Sequence, residues 1–176
     1  MRVKWNRQDM AVSEQAGALR WQLARASQTT DQAIDKSRDP KAMDRLGLRA
    51  EIAVAKALDI DYSASTLGID NGGDLFLPLK TNDFYVAQVK ATWHKHGNLI
   101  FKMNEKFKFD VAILVCAQSD DQDCDHFEVT GAMSLKEINA AKYETNLGNG
   151  ELWRVDRENL RPISQLWHYL QETRLA

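Results

Sequence analysis

Four side chains of this sequence could bind a divalent metal and act on a phosphate, and each stands in surroundings that do not suit it. Glu51 lies in a helical pattern rich in Ala and Leu, and the residues three, four and seven positions away on its own face are apolar. An ionised carboxylate that docks onto a core costs several kcal/mol unless a cation or hydrogen-bond donors compensate it. The alternative is a helix whose apolar stripe is broad enough to leave Glu51 at its margin.

The other three side chains belong to a predicted β-hairpin. Asp74 enters the first strand, while Gln88 and Lys90 are two residues apart and share one face of the second strand. With an even pairing sum, as when residue 80 faces residue 84, Asp74 lies opposite Lys90 on that same face. A two-residue turn would put Asp74 on the other face, so a shared site requires an odd loop length or a bulge. The alternative is an edge strand with one solvated face.

Together these residues resemble the PD-(D/E)xK nuclease superfamily, in the subset that carries Gln at the (D/E) position. The resemblance covers residues 47–140 or so. The matching pieces are Gly47–Ala53 around Glu51, Gly72–Phe76 around Asp74, Val86–Thr92 around Gln88-Val89-Lys90, the apolar run Phe109–Val115, and Phe127–Gly131.

The resemblance implies an α/β, restriction-endonuclease-like fold, with a central mixed sheet of about five strands flanked by helices, and hydrolysis of DNA phosphodiester bonds with Mg²⁺ or Mn²⁺. It implies that Asp74 is the principal metal carboxylate, assisted by the Gln88 side-chain carbonyl and the Val89 backbone carbonyl. Lys90 would orient or help deprotonate the attacking water, and Glu51 would hold a second metal or a metal-bound water. Because Gln88 replaces an acid, the site has one negative charge fewer, which leaves open whether one metal or two would bind.

Hydrophobic periodicity predicts the elements that would position these residues. Their order predicts one mixed α/β domain over residues 1–176, with an N-terminal helical extension at about 1–40. Helices are predicted over 10–26, from Thr29 to before Pro40, over 41–58, from Ser134 with Glu137 as its capping-box partner, and over 163–170. Strands are predicted over 74–79, 84–91, 98–103, 110–116, 126–130 and 152–155.

Composition excludes several classes of protein. The chain has 176 residues, 44% hydrophobic and 27% charged, with 9 Gly and 3 Pro, so it is neither collagenous nor intrinsically disordered. No apolar run approaches the roughly 20 residues that span a bilayer, and no apolar segment follows the basic N-terminus. The two cysteines form no disulfide framework. We therefore expect no membrane partner and a cytoplasmic location. The resemblance implies that the cell is bacterial or phage-infected.

The net charge of −2 conceals a polarised distribution. The segment 88–108 contains five lysines and a single acid, Glu105, whereas the segment 118–128 contains five acids and no base. The basic segment favours DNA as the partner, and the alternative is two solvated loops of opposite sign. Cleavage of both strands would need two active sites, which makes a homo-oligomer reasonable.

Other motifs are weaker. His94-Lys95-His96 is more typical of a solvated turn than of a metal site, and the Asp121–Asp125 repeat lacks the Gly and Glu of a Ca²⁺ loop. Arg154, Arg157 and Arg161 are more typical of a solvated edge than of a second phosphate patch. The competing interpretations are a catalytically inactive DNA-binding module on the same fold, a Holliday-junction-resolvase or homing-type endonuclease, and a structural protein with a buried Glu51–Lys90 pair.

Overall fold

The computed structural model describes residues 1–26, 40–62, 73–79, 83–119, 124–147 and 150–173. The short helix predicted from Thr29, most of the loop before Asp74, and the residues Asp121 and Asp123 lie outside these ranges. Within them the structure is a mixed α/β fold, as the sequence predicts. No helix in the described ranges combines the length and hydropathy needed to cross a bilayer.

The described chain contains eight strands, four α-helices and a short 3₁₀ helix at Arg157–Asn159. In order, the strands and α-helices are β1 (Arg2–Lys4), α1 (Arg7–Ala26), α2 (Pro40–Ala57), β2 (Leu75–Pro78), β3 (Phe84–Thr92), β4 (Leu99–Lys102), β5 (Val111–Ala117), β6 (His126–Ser134), α3 (Leu135–Ala141), β7 (Tyr143–Asn146), β8 (Glu151–Val155) and α4 (Ile163–Thr173).

The main sheet has five strands in the order β1-β6-β5-β3-β2. β3 and β5 are parallel, and the other neighbours are antiparallel. Every residue of β5 is buried, as expected for an apolar strand covered on both faces. A parallel pair needs a crossover connection, and here the connection contains β4, which pairs with β8 in a separate three-stranded sheet of order β4-β8-β7.

Residues of β3 alternate between two hydrophobic cores. Ala87 and Val89 pack in a core with the apolar face of α2, while Val86 packs in a second core with Phe101 of β4 and Leu114 of β5. Because successive strand residues point to opposite faces, Gln88 and Lys90 share the Val86 face. The main sheet therefore has α2 on one side and the smaller sheet on the other.

The N-terminal segment begins with a strand that the sequence analysis does not predict. β1 pairs with β6, and the ring of Trp5, 4% exposed, lies 5.5 Å from the ring of Phe127. The guanidinium of the buried Arg49 lies 5.8 Å from the Trp5 ring centre. Residues 1–5 are thereby built into the edge of the main sheet.

The predicted capping box at α3 is confirmed. The Ser134 hydroxyl accepts from the Glu137 backbone N–H, and Glu137 Oε2 accepts from the Ser134 N–H. A hydrogen bond from the Ser134 hydroxyl to Glu137 Oε2 at 2.7 Å, then one from Arg161 Nε at 2.7 Å and one from the Ser134 N–H, hold the pKa of the Glu137 carboxyl below its ordinary value of 4.5.

Candidate functional site

The β2–β3 register puts Asp74 on the face that a shared site requires. Leu75 lies opposite Ala87 and Pro78 opposite Phe84, so the number of residues between the last paired positions, five, is odd. The pairing sum is even, as a shared site requires, but it is two lower than the sum that would put Asp74 opposite Lys90, so that expected pairing is wrong. Asp74 lies just before the first paired residue, and its N–H donates to the Ala87 carbonyl.

Asp74 is fastened directly to β3. Its Oδ2 accepts hydrogen bonds from the Gln88 side-chain Nε2 and, at 2.6 Å, from the Val89 N–H, and its own N–H donates to the Ala87 carbonyl at 2.8 Å. The backbone and carboxylate of Asp74 thus bond to β3 immediately before β2 begins. Three contacts fix its position relative to the strand that carries Lys90.

A glycine is required immediately before this carboxylate. The chain bends at Asp74, and a Cβ added at Gly73 would lie 2.1 Å from Val86 Cγ1. No real Cβ approaches a side-chain carbon so closely, and the branched Val86 has no flexible end that could move away. The Gly in Gly73-Asp74 is therefore needed for space.

The oxygen donors at this position fit a hard divalent cation. The N–H and C=O of a strand residue point to the same side, so the Val89 carbonyl faces the edge where its N–H meets Asp74. Gln88 presents Nε2 to the carboxylate, and a half-turn of the amide exchanges Nε2 with Oε1. One carboxylate and two neutral oxygens suit Mg²⁺, which retains several waters.

The part of the chain that the structure describes contains no metal site built from several acidic, His or Cys ligands. No group of three or more His, Cys, Asp or Glu side chains there could hold a metal ion. A cation beside Asp74 would depend on a single carboxylate, on neutral oxygens and on water.

Lys90 is held by a residue that the sequence analysis did not select. Its Nζ lies 2.7 Å from Glu105 Oε1 and 5.1 Å from the ring centre of Phe101. The other Glu105 oxygen accepts from the Lys102 N–H at 3.2 Å. One feature of the sequence could have identified Glu105 as a partner for a lysine: it is the one acid of the basic segment 88–108.

Glu51 is buried, at 3% exposure, with Leu48 and Ala55 of its own face buried as well. The alternative interpretation, in which Glu51 lies at the margin of the apolar stripe of the helix, is therefore wrong. Its Oε2 accepts from the Tyr62 hydroxyl at 3.1 Å. Glu51 belongs to α2, the helix that covers the β3 face opposite to Lys90.

The structure thus brings Asp74, Gln88 and Val89 into direct contact. It sets Lys90 one step further along the same face, paired with Glu105, and gives Glu51 a partner outside the predicted set, Tyr62. The roles implied for these residues stay predictions.

The weaker motifs have structural partners. The three C-terminal arginines form ion pairs, Arg154 with Asp156, Arg157 with Glu128 and Arg161 with Glu137. His94 and His96 are exposed in a turn closed by a hydrogen bond from the Gly97 N–H to the His94 carbonyl.

Comparison of this chain with models of protein families, with curated proteins and with solved structures gives no match.

Proposed function

We propose that this protein is a metal-dependent DNA endonuclease of the PD-(D/E)xK type on a restriction-endonuclease-like fold. The observation that carries the proposal is the Asp74 carboxylate, which contacts the Gln88 side chain and the Val89 N–H on the face that Lys90 shares. Mg²⁺ or Mn²⁺ is the proposed cofactor, and the products are a 5′-phosphate and a 3′-hydroxyl.

The proposed division of labour follows from phosphoryl transfer, which depends on positioning and charge neutralisation. Asp74, the Gln88 amide oxygen and the Val89 carbonyl hold the cation, which when bound supplies positive charge to the phosphate and acidifies water. Lys90 orients the attacking water and donates to the phosphate oxygens. The geometry does not support a role for Glu51 in this step, because α2 covers the β3 face opposite to Lys90 and the Glu51 carboxylate accepts from Tyr62.

The architecture supports the same proposal. A hairpin carries Asp74 on one strand and Gln88 with Lys90 on the other, a parallel neighbour of β3 is buried at the sheet centre, and a helix with a buried acid covers the sheet. These are the pieces on which the resemblance rests. They are compatible with the fold that it implies.

A second candidate is a catalytically inactive DNA-binding module on the same fold. It is favoured by the fact that both charges at the site already have partners in the protein: Asp74 accepts from Val89, and Lys90 pairs with Glu105. A degraded site would retain such contacts for stability alone.

Asp74→Asn, with Asp110→Asn as its matched control, separates the two candidates. Asp110 Oδ2 also accepts a β3 backbone N–H, from Val86 at 2.9 Å. Asn keeps an oxygen acceptor at either position and removes the charge. We expect Asp74→Asn to lower cleavage about a hundredfold or more, and Asp110→Asn to retain it, with both melting temperatures close to that of the wild type.

The measurement is the initial rate of cleavage of supercoiled, linear and branched DNA, with Mg²⁺ or Mn²⁺ and with EDTA. Equal cleavage by Asp74→Asn and the wild type would contradict the proposed site. Wild-type protein that binds DNA but cleaves none of these substrates with either metal would establish the second candidate.

A further inference from the structure

The loop between β4 and β5 is fastened at both ends to the stretch of β3 that carries Gln88. Near its start, Glu105 contacts Lys90 Nζ at 2.7 Å. At its end, the Asp110 N–H donates to the Val86 carbonyl at 2.8 Å, and Asp110 Oδ2 accepts the Val86 N–H at 2.9 Å. The loop therefore runs beside the candidate site.

Alternation in this loop turns one side chain inward and its neighbours outward. Phe107 packs against Phe101 and Phe109, with ring centres 5.0 and 5.3 Å apart. Lys106 and Lys108, on either side of Phe107, are exposed. Packing of Phe107 anchors the loop. Lys106 and Lys108, two residues apart, then point their ammonium groups into solvent.

A third cation joins them from α3. Lys142, the C-cap of that helix, has its Nζ 5.0 Å from the ring centre of Phe107 and 4.7 Å from that of Trp153. Cation–π contacts of this length hold the ammonium in place. We refer to Lys106, Lys108 and Lys142 as the lysine track.

Counter-charges distinguish the lysine track from the three C-terminal arginines. Arg154, Arg157 and Arg161 each have a carboxylate partner, whereas in the described ranges no carboxylate lies within ion-pair distance of the track. Neighbouring like charges repel, and a polyanion that lies across them relieves this repulsion.

We infer that the lysine track binds the phosphates of a DNA strand and leads it to Asp74 and Lys90. The choice of DNA as the ligand rests on the proposed function. The lysine track is the surface that we infer contacts the DNA. The neighbouring rings of Phe101 and Phe109 are buried, so they are not open for base stacking. Contacts to phosphates alone carry no sequence information, so binding through the track is independent of sequence.

The test uses the double variant Lys106→Ala/Lys108→Ala and the matched control Arg2→Ala/Lys4→Ala. The control also removes two exposed cations that flank a buried apolar residue, Val3, but on β1 at the opposite edge of the main sheet. Affinity for a labelled duplex is measured by fluorescence anisotropy in EDTA across a series of salt concentrations, with two unrelated DNA sequences.

Each phosphate contact contributes about −0.9 to the slope of log K against log salt concentration. We expect the slope of the track variant to be shallower by about 1.8, with Kd raised tenfold or more at about 0.1 M salt. We expect the control to follow the wild type and the two sequences to bind equally. An unchanged slope in the track variant, an equal loss in the control, or no wild-type binding at low salt would overturn the inference.

Cleavage assayed in parallel separates this inference from the proposed function. Binding that depends on the lysine track without any cleavage in Mg²⁺ or Mn²⁺ supports the track and rejects the nuclease. If the wild type cleaves DNA and the track variant binds with the same affinity and salt dependence as the wild type, the track is rejected. The proposed nuclease function is then unaffected.

Discussion

Glu105 restrains the Lys90 ammonium without burying it. The two side chains are 23% and 22% exposed, and ion pairs in contact with solvent typically contribute less than about 1 kcal/mol. A phosphate that arrives at Lys90 therefore meets a cation whose existing partner is easily exchanged. The pair is compatible with Lys90 acting on a substrate, and it keeps the charge compensated until then.

Glu51 has the opposite character, because its carboxylate is buried and depends on donors from the protein. We expect Tyr62→Phe to lower the free energy of unfolding by about 1–2 kcal/mol, since it removes a hydroxyl that donates to a buried acceptor. Urea denaturation measures this. Tyr143→Phe, which removes an exposed hydroxyl that donates to Asp156 at 2.9 Å, is the control and should change stability by less than about 0.5 kcal/mol. Equal losses in the two variants would contradict the structural importance of the Glu51–Tyr62 contact.

At the scale of residues, the sequence predicts which side chains are anomalous better than it predicts their partners. Burial of Glu51 follows from helical spacing, and the shared face of Gln88 and Lys90 follows from strand alternation. Glu105 and Tyr62 do not follow, because their contacts with Lys90 and Glu51 span 15 and 11 residues and depend on the path of the intervening chain.

The β2–β3 hairpin depends on a close approach at Gly73. We expect Gly73→Ala to destabilise the protein by about 1–3 kcal/mol and to abolish activity, because the added methyl group meets Val86 and displaces Asp74. Thermal unfolding and the cleavage assay measure the two effects. Val86→Ala in the same chain should restore part of the stability by opening that space.

Gly47→Ala is the control for this prediction. A Cβ at Gly47, inside α2, meets nothing within 4 Å. Ala is the better helix former there, so we expect a gain of about 0.5–1 kcal/mol. Destabilisation by Gly73→Ala that Val86→Ala does not relieve would show that the contact with Val86 is not its cause.

Periodicity predicts the long elements well. α2 is predicted over 41–58 and runs over Pro40–Ala57, and the strand predicted over 84–91 is β3, Phe84–Thr92. It does not predict β1 or β7, because a three-residue strand has only one inward side chain, Val3, and β7 is largely exposed. Such strands form because a neighbouring strand offers an edge, which is a property of the tertiary structure.

At the scale of the molecule, the N-terminal segment belongs to the main sheet. We expect Trp5→Ala to lower the free energy of unfolding by about 3–5 kcal/mol, as for other buried aromatic residues. Trp5→Phe should cost much less, because it retains most of the apolar volume and removes an N–H that has no hydrogen-bond partner within the described ranges. Denaturant unfolding measures both.

Val12→Ala, at a position 39% exposed on α1, is the control and should change stability by less than about 0.5 kcal/mol. If Trp5→Ala were as mild as this control, residues 1–5 would be an appendage to the sheet and not part of it.

The central position of β5 has a consequence for synthesis of the chain. Its seven residues carry no charge and are fully covered only when β6, which begins nine residues after β5 ends, has paired with it. Translation proceeds at roughly 5–20 residues per second, so an apolar strand with one bare edge emerges first. Such a segment is prone to pair with other chains, and a nascent polypeptide stalled at that point would be a substrate for chaperones.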